Sequence, residues 1–147
     1  MNTKKQLEDA LKDAIRARDN VRKRTIRLTL SDIKLAEVEK KRELDDAEVL
    51  AIIQKGVKER QDVIEESERA NRPDLVANAE EEIAVLEEFL PEQLTHEELE
   101  ELTRQVIDEV GATSMREMGQ VMKVLIPRLE GRATGGEASQ MVRKLLQ

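Results

Sequence analysis

Cysteine, tryptophan and tyrosine are absent from this 147-residue chain, and Phe89 is its single aromatic residue. Without cysteine there is neither a disulfide nor a thiolate to react or bind metal, so nothing ties the chain to an oxidising compartment. Without aromatics the core has to be aliphatic, and no platform exists on which nucleic-acid bases could stack. No apolar run approaches the ~18 residues that a membrane span requires. The opening stretch, Met1 to Asp9, is polar and carries no apolar segment of the signal-peptide kind. These absences predict a soluble, cytoplasmic protein with no membrane contact.

Charge is what the chain has in excess, at 39% Asp, Glu, Lys and Arg with a net of −7. It is unevenly spread. Residues 1–42 carry 13 Lys/Arg against 7 Asp/Glu, residues 43–91 carry 5 against 15, and residues 92–147 carry 7 against 10. A basic section in an acidic protein fits an anion-facing surface. It equally fits helices that pair with one another by charge.

Glu, Lys, Arg, Ala and Leu dominate, and all favour helix. Periodicity and caps predict seven helices and an all-α fold. The first follows Thr3 and carries Leu7, Leu11, Ala14 and Ile15. The second, about Val21 to Lys41, has two apolar stripes, Val21/Leu28/Leu35 and Ile26/Leu30/Ile33, as expected of a central helix with neighbours on two sides. A third opens at Asp45 with Glu48 as a capping box and reaches about Ala70. A fourth starts at Pro73 and is stopped by Pro91. Shorter helices follow: Thr95 with Glu98 to the cap at Gly111, Ser114 with Glu117 to Pro127, and Thr134 with Glu137 to the end. The division expected is a four-helix N-terminal portion, 1–92, and a small three-helix C-terminal domain, 93–147.

Catalytic chemistry has little to work with. His96 stands in a helical first turn among glutamates, as a solvated surface histidine would. Neither a Gly-x-Ser-x-Gly elbow, a phosphate-cradling Gly-x-x-x-x-Gly-Lys-Ser/Thr nor a paired-histidine zinc motif occurs. Runs such as Glu80 to Glu82 fan around a helix axis and read as a solvated face. No catalytic residue, cofactor or metal is therefore expected.

Two features point to anions. On the second helix Lys23, Arg27, Lys34 and Lys41 fall within about 40° of one line and span roughly 27 Å. Such a ridge can meet several phosphates and gain affinity by counterion release; the other possibility is that it pairs with an acidic helix of the same fold. In the loop Gly131-Arg132-Ala133-Thr134-Gly135-Gly136, Arg132 and the glycines Gly135 and Gly136 stand at a helix N-terminus, where free N–H groups suit an anion. Alternatively, the loop is a sharp turn with a Thr134 cap. Met115, Met118 and Met122 read as core fillers.

Several short stretches then match a known pattern. They are Ile26-Arg27-Leu28 with Ile33-Lys34 and Glu37, Leu44-Asp45-Asp46, Leu90-Pro91-Glu92-Gln93-Leu94, Met118-Gly119-Gln120-Val121-Met122, and Gly131-Arg132-Ala133. In this order and spacing the chain resembles the YqeY-like (GatB/YqeY) family along essentially its full length. Thr134 departs from the pattern, where the family usually has Asp before Gly; both residues cap helices. The resemblance implies the four-plus-three helix division, with a C-terminal part similar to the tail of the B subunit of the glutamine-dependent aminoacyl-tRNA amidotransferase. It implies an RNA-associated helper, with tRNA or other structured RNA as partner. Alternatives are an accessory component of an amidotransferase, a carbon–nitrogen ligase with glutamine as amido donor, and a helical protein-interaction adaptor without RNA. Amidotransferase or tRNA-synthetase components are then further partners. Any ligase activity would come by association, because the residues offer no site for it.

Overall fold

The computed structural model describes residues 2–147 and is all-α, with no strand among them. The chain forms two compact units, Met1–Leu90 and Pro91–Gln147. The first holds α1 (Thr3–Ala17), α2 (Asn20–Lys40), α3 (Asp46–Arg69) and α4 (Pro73–Glu87). The second holds α5 (His96–Val110), α6 (Met118–Leu129) and α7 (Gly135–Leu146), with a 3₁₀ turn at Met115–Glu117 ahead of α6.

In the first unit, α1 with α2 and α3 with α4 make two antiparallel hairpins. Leu7, Ile26, Ile33, Val49, Ile53 and Leu86 form its core. α2 packs against α1, α3 and α4, but with one of its two apolar stripes only. Ile26 and Ile33 are fully buried, whereas Leu28 and Leu35 stand in solvent at 53% and 64% exposure. Two threonines, Thr25 and Thr29, take the buried places instead. Their hydroxyls donate to the carbonyls of Val21 (2.8 Å) and Thr25 (2.9 Å) one turn back, which satisfies them without any neighbour. The double-stripe reading of α2 is therefore corrected: a self-satisfied threonine is a core residue that apolar counting misses.

The inner end of α2 is clasped. The Glu37 carboxylate accepts from Lys4 Nζ of α1 (3.0 and 3.2 Å) and from the Leu44 backbone N–H in the turn before α3 (3.0 Å). Beside it, the Thr3 N–H donates to Asp46 Oδ1 at 2.7 Å. The Leu44 N–H, the Lys4 ammonium and the charge of Lys34 hold the Glu37 carboxyl below its ordinary value, and Glu37 in turn raises Lys4.

The capping boxes at Asp45/Glu48, Thr95/Glu98 and Thr134/Glu137 form as the sequence implies. That expected at Ser114 does not. Glu117 Oε1 reaches past it to the N–H and hydroxyl of Thr113, both at 3.3 Å, and Ser114 opens a 3₁₀ turn. Nor does Pro127 stop α6. It lies in the last turn, where its missing N–H forfeits one bond to the Lys123 carbonyl, and the helix continues to bury Leu129 beneath Leu125. The stop comes from Glu130 and Gly131, both at positive φ (50° and 74°). Similarly, α4 ends at Glu87, short of Pro91. Met115 is exposed rather than a core filler, while Met118 and Met122 do pack on the core of Leu99, Val106, Val121, Leu125 and Val142.

The boundary also moves. Pro91 and Glu92 belong with the second unit, because Arg132 Nε donates to the Glu92 carbonyl (2.8 Å) and Gln93 Nε2 bridges the Pro91 (2.9 Å) and Gly131 (3.0 Å) carbonyls.

The clasp and two glycines give three predictions. Because the Glu37 carboxyl is held below its ordinary 4.5, the stability it supplies is complete above that value and is lost as pH falls through the depressed one. Urea midpoints of the wild type and Glu37→Gln should differ most near neutral pH and converge as pH falls below the ordinary carboxylate range; a constant gap would mean that the charge is not what clasps the helices. Gly111 caps α5 at φ 74°, with open space where a Cβ would go, so Gly111→Ala should cost about 1–2 kcal/mol through backbone alone. Gly119, inside α6 with equally open space, should stabilise by roughly 0.5 kcal/mol as Gly119→Ala in the same denaturation assay.

Candidate nucleic-acid interface

The basic ridge lies on the length of α2 and its C-cap. Arg27, Lys34 and Lys41 are exposed and Lys23 is half-buried. Lys41 ends the helix in the left-handed conformation (φ 58°), its N–H returned to the Glu37 carbonyl, so it stands at the end of the ridge but no longer follows the helical spacing that aligns Lys23, Arg27 and Lys34. Among the described residues no ion pair engages any of the four. Lys34 acts only through its field, as a minor cause of the lowered Glu37 carboxyl.

Their neighbours behave differently. Arg22 pairs with Glu88 and sits 5.8 Å from the centroid of the Phe89 ring. Arg24 reaches Asn78 (3.1 Å) and Glu82 (3.4 Å) on α4, and Glu82 also holds Arg60 of α3 at 2.6 Å. Lys40 and Arg42 both meet Glu48, whose carboxyl they pull far below the carboxylate range, Arg42 foremost. Pairing between helices therefore does account for much of the basic N-terminal section. It takes the cations that flank the ridge and leaves the ridge itself charged and in water. Arg18, preceding it, is the left-handed cap of α1 (φ 57°), and Arg16 approaches Asp13 at 4.0 Å.

The loop before α7 is organised as a fastener. The Arg132 N–H donates to the Leu129 carbonyl (2.8 Å), its carbonyl accepts from the Leu94 N–H (2.7 Å), and its guanidinium holds Glu92. The start of α7 is occupied from within: Thr134 Oγ1 accepts from the Glu137 N–H (3.0 Å), and the Glu137 carboxylate folds back on Thr134. Gly135 and Gly136 are the first two residues of α7 and are exposed. A carboxylate at that helix start opposes a second anion, so the geometry is that of the turn-and-cap alternative. The ridge and this loop lie in different units.

His96 is exposed at the start of α5. With Glu137 and Lys144 it lines a groove of about 300 Å³ that also contains Leu94, Leu99 and Met141. The Thr95 hydroxyl there caps α5, accepting from the Glu98 N–H at 3.1 Å, and so is not poised as a nucleophile. What sequence reasoning missed is the apolar flank of the ridge. Leu28, Leu35 and Val38, the last 65% exposed, form an uncovered stripe on α2. The double stripe signalled it, but was taken for a second buried face.

The Arg132 fastener is testable. Arg132→Ala should lower the stability of the second unit by about 1 kcal/mol, the usual value of a hydrogen bond, seen as faster amide exchange at Leu94 and across the 131–134 loop. Unaltered exchange would free Arg132 for another role.

Comparison with known proteins places these features in a family. The family model described as "Yqey-like protein" matches residues 4–146. An uncharacterised protein of Schizosaccharomyces pombe is 30% identical over 95 residues, 65% of this chain and 77% of that protein. "Altered inheritance of mitochondria protein 41, mitochondrial" is 39% identical over 84 residues in Kluyveromyces lactis (56% of this chain, 45% of that protein). In Lachancea thermotolerans it is 39% identical over 85 residues (57% and 46%). The match thus spans less than half the length of these mitochondrial relatives. No helix among the described residues is long and apolar enough to cross a membrane.

Proposed function

The chain belongs to the YqeY-like protein family, and from that premise we propose that it is a non-catalytic helper that docks structured RNA, tRNA foremost, through the ridge on α2. The observation that carries the proposal is selective pairing. In a chain with more acids than bases, Arg22, Arg24, Lys40 and Arg42 are neutralised by carboxylates while Lys23, Arg27, Lys34 and Lys41 are left without ion pairs. Lys23, Arg27 and Lys34 along the helix and Lys41 at its cap, unpaired among the described residues and spread over roughly 27 Å, meet successive phosphates at little reorganisation cost. With Phe89 the only aromatic side chain, recognition is by backbone and shape rather than by stacked bases.

The choice of tRNA, and with it the link to an amidotransferase, rests on the resemblance of the C-terminal part to the amidotransferase tail. In this proposal the second unit is that tail-like three-helix domain and the first a four-helix RNA-facing domain. Arg132, Gly135 and Gly136 then support the fold of the tail, and the phosphates fall to the ridge. A tRNA ligand is present in the cytoplasm and in mitochondria alike. The proposal therefore holds for a cytoplasmic protein and for the compartment named in the yeast relatives.

The test is a fluorescence-anisotropy titration with bulk tRNA at several salt concentrations. Saturable, salt-steep binding is expected, and Lys23→Glu/Arg27→Glu/Lys34→Glu should weaken it while reducing the log–log salt slope by roughly 2–3, at 0.7–0.9 per lost contact. A helical circular dichroism spectrum must accompany the variant. Unchanged affinity in a folded variant refutes the ridge.

A further inference from the structure

α2 buries threonines and exposes leucines. Leu28, Leu35 and Val38 are the three most exposed large apolar side chains described in the protein, and all belong to this one helix. Leu28 and Leu35 lie within about 20° of each other around the axis, and Val38 lies about 60° further toward Arg27 and Lys34. The apolar stripe therefore runs directly beside the cationic ridge, with Val38 next to the ridge and Ser31 within the stripe. Core packing does not require it: the inner side of α2 is filled by Thr25, Ile26, Thr29 and Ile33. RNA does not require it either, since aliphatic side chains offer phosphates nothing.

We infer that this face of α2 is a protein-docking surface, and that its occupant is an amphipathic helix with apolar residues on its contact face and carboxylates along one edge. Charge complementarity makes the choice. An apolar helix seated on Leu28, Leu35 and Val38 has the unpaired Arg27, Lys34 and Lys41 along one flank, where acidic side chains gain most and basic ones are rejected. A second copy of this chain fits less well. Laid antiparallel, two α2 helices bring ridge against ridge; laid parallel, each ridge meets only Asp32 and Glu39. The inference stands independently of RNA binding, but it has a consequence for it: both ligands use the ridge, so each should exclude the other.

The experiment uses the full chain and a labelled 20-residue helical peptide with leucines at heptad spacing and glutamates on one flank, together with its Glu→Gln counterpart. Saturable binding of the acidic peptide is expected, weakened about tenfold or more by Leu28→Ser/Leu35→Ser and to a similar degree by the Glu→Gln change. The leucine variant should retain its helical spectrum, which exposed positions allow, and should bind bulk tRNA as the wild type does. Four results would overturn the inference, the last of them in the tRNA arm. One is an acidic peptide that fails to saturate; another is a leucine variant that binds it unchanged, which leaves charge alone; a third is a dimer in sedimentation that the leucine variant dissolves, which gives the face to a second copy. If instead tRNA binding is absent while the peptide results hold, the RNA reading fails and the docking surface stands. If tRNA binding falls with the leucines as far as peptide binding does, the face is an RNA surface and the docking surface is wrong.

Discussion

One carboxylate, that of Glu37, determines how the first unit is put together. It receives an ammonium from α1 and an N–H from the turn into α3 while belonging to α2, so three helices are indexed to a single group. An aliphatic core needs such a device. Leucines, isoleucines and valines fill space at low cost, but they lack the directional edges by which aromatic rings and their polar handles define a unique packing. Glu37 and the neighbouring Thr3–Asp46 bond supply direction at one end of the unit. Glu82, between Arg60 and Arg24, supplies it among α2, α3 and α4.

This arrangement sorts the basic residues. Cations of α2 within reach of carboxylates on α3 and at α4 are drawn into pairs that set helix against helix, and those out of reach are left over. The outer side is thus shaped by what the inner side consumes. A ridge of like charges on a helix is mildly destabilising by itself, so its persistence in a unit so rich in acids is informative in a way that net charge is not.

Most of the architecture could be read from the sequence because its signals are local. Capping boxes join residues three apart, and Gly111 announces a left-handed cap by its type alone. The failures occurred where a competing contact overrode the expected one. Ser114 has the right partner three residues on, but Glu117 finds Thr113 instead. Pro127 is a helix breaker by type, yet the burial of Leu129 outweighs one lost bond. The ridge was legible as a line of charge, whereas its freedom from ion pairs was not, because pairing depends on which helix lies opposite. Arg132 illustrates the reverse: a basic residue beside glycines suggested a ligand, and the structure turns its guanidinium onto a backbone carbonyl of its own unit.

The exchange of threonine for leucine on α2 carries a cost during folding. A helix that offers Val21, Leu28 and Leu35 on one side and Ile26, Leu30 and Ile33 on the other has two rival inner faces, related by a half-turn about its own axis. Their apolar residues are matched, three against three, which is a local form of frustration, but Asp32 and Glu39 share the outer face and count against burying it. Rotated by that half-turn, α2 would hide its leucines and carry Glu37 away from Lys4 and Leu44. The clasp is therefore more than a fastening: its contacts form with only one of the two faces turned inward.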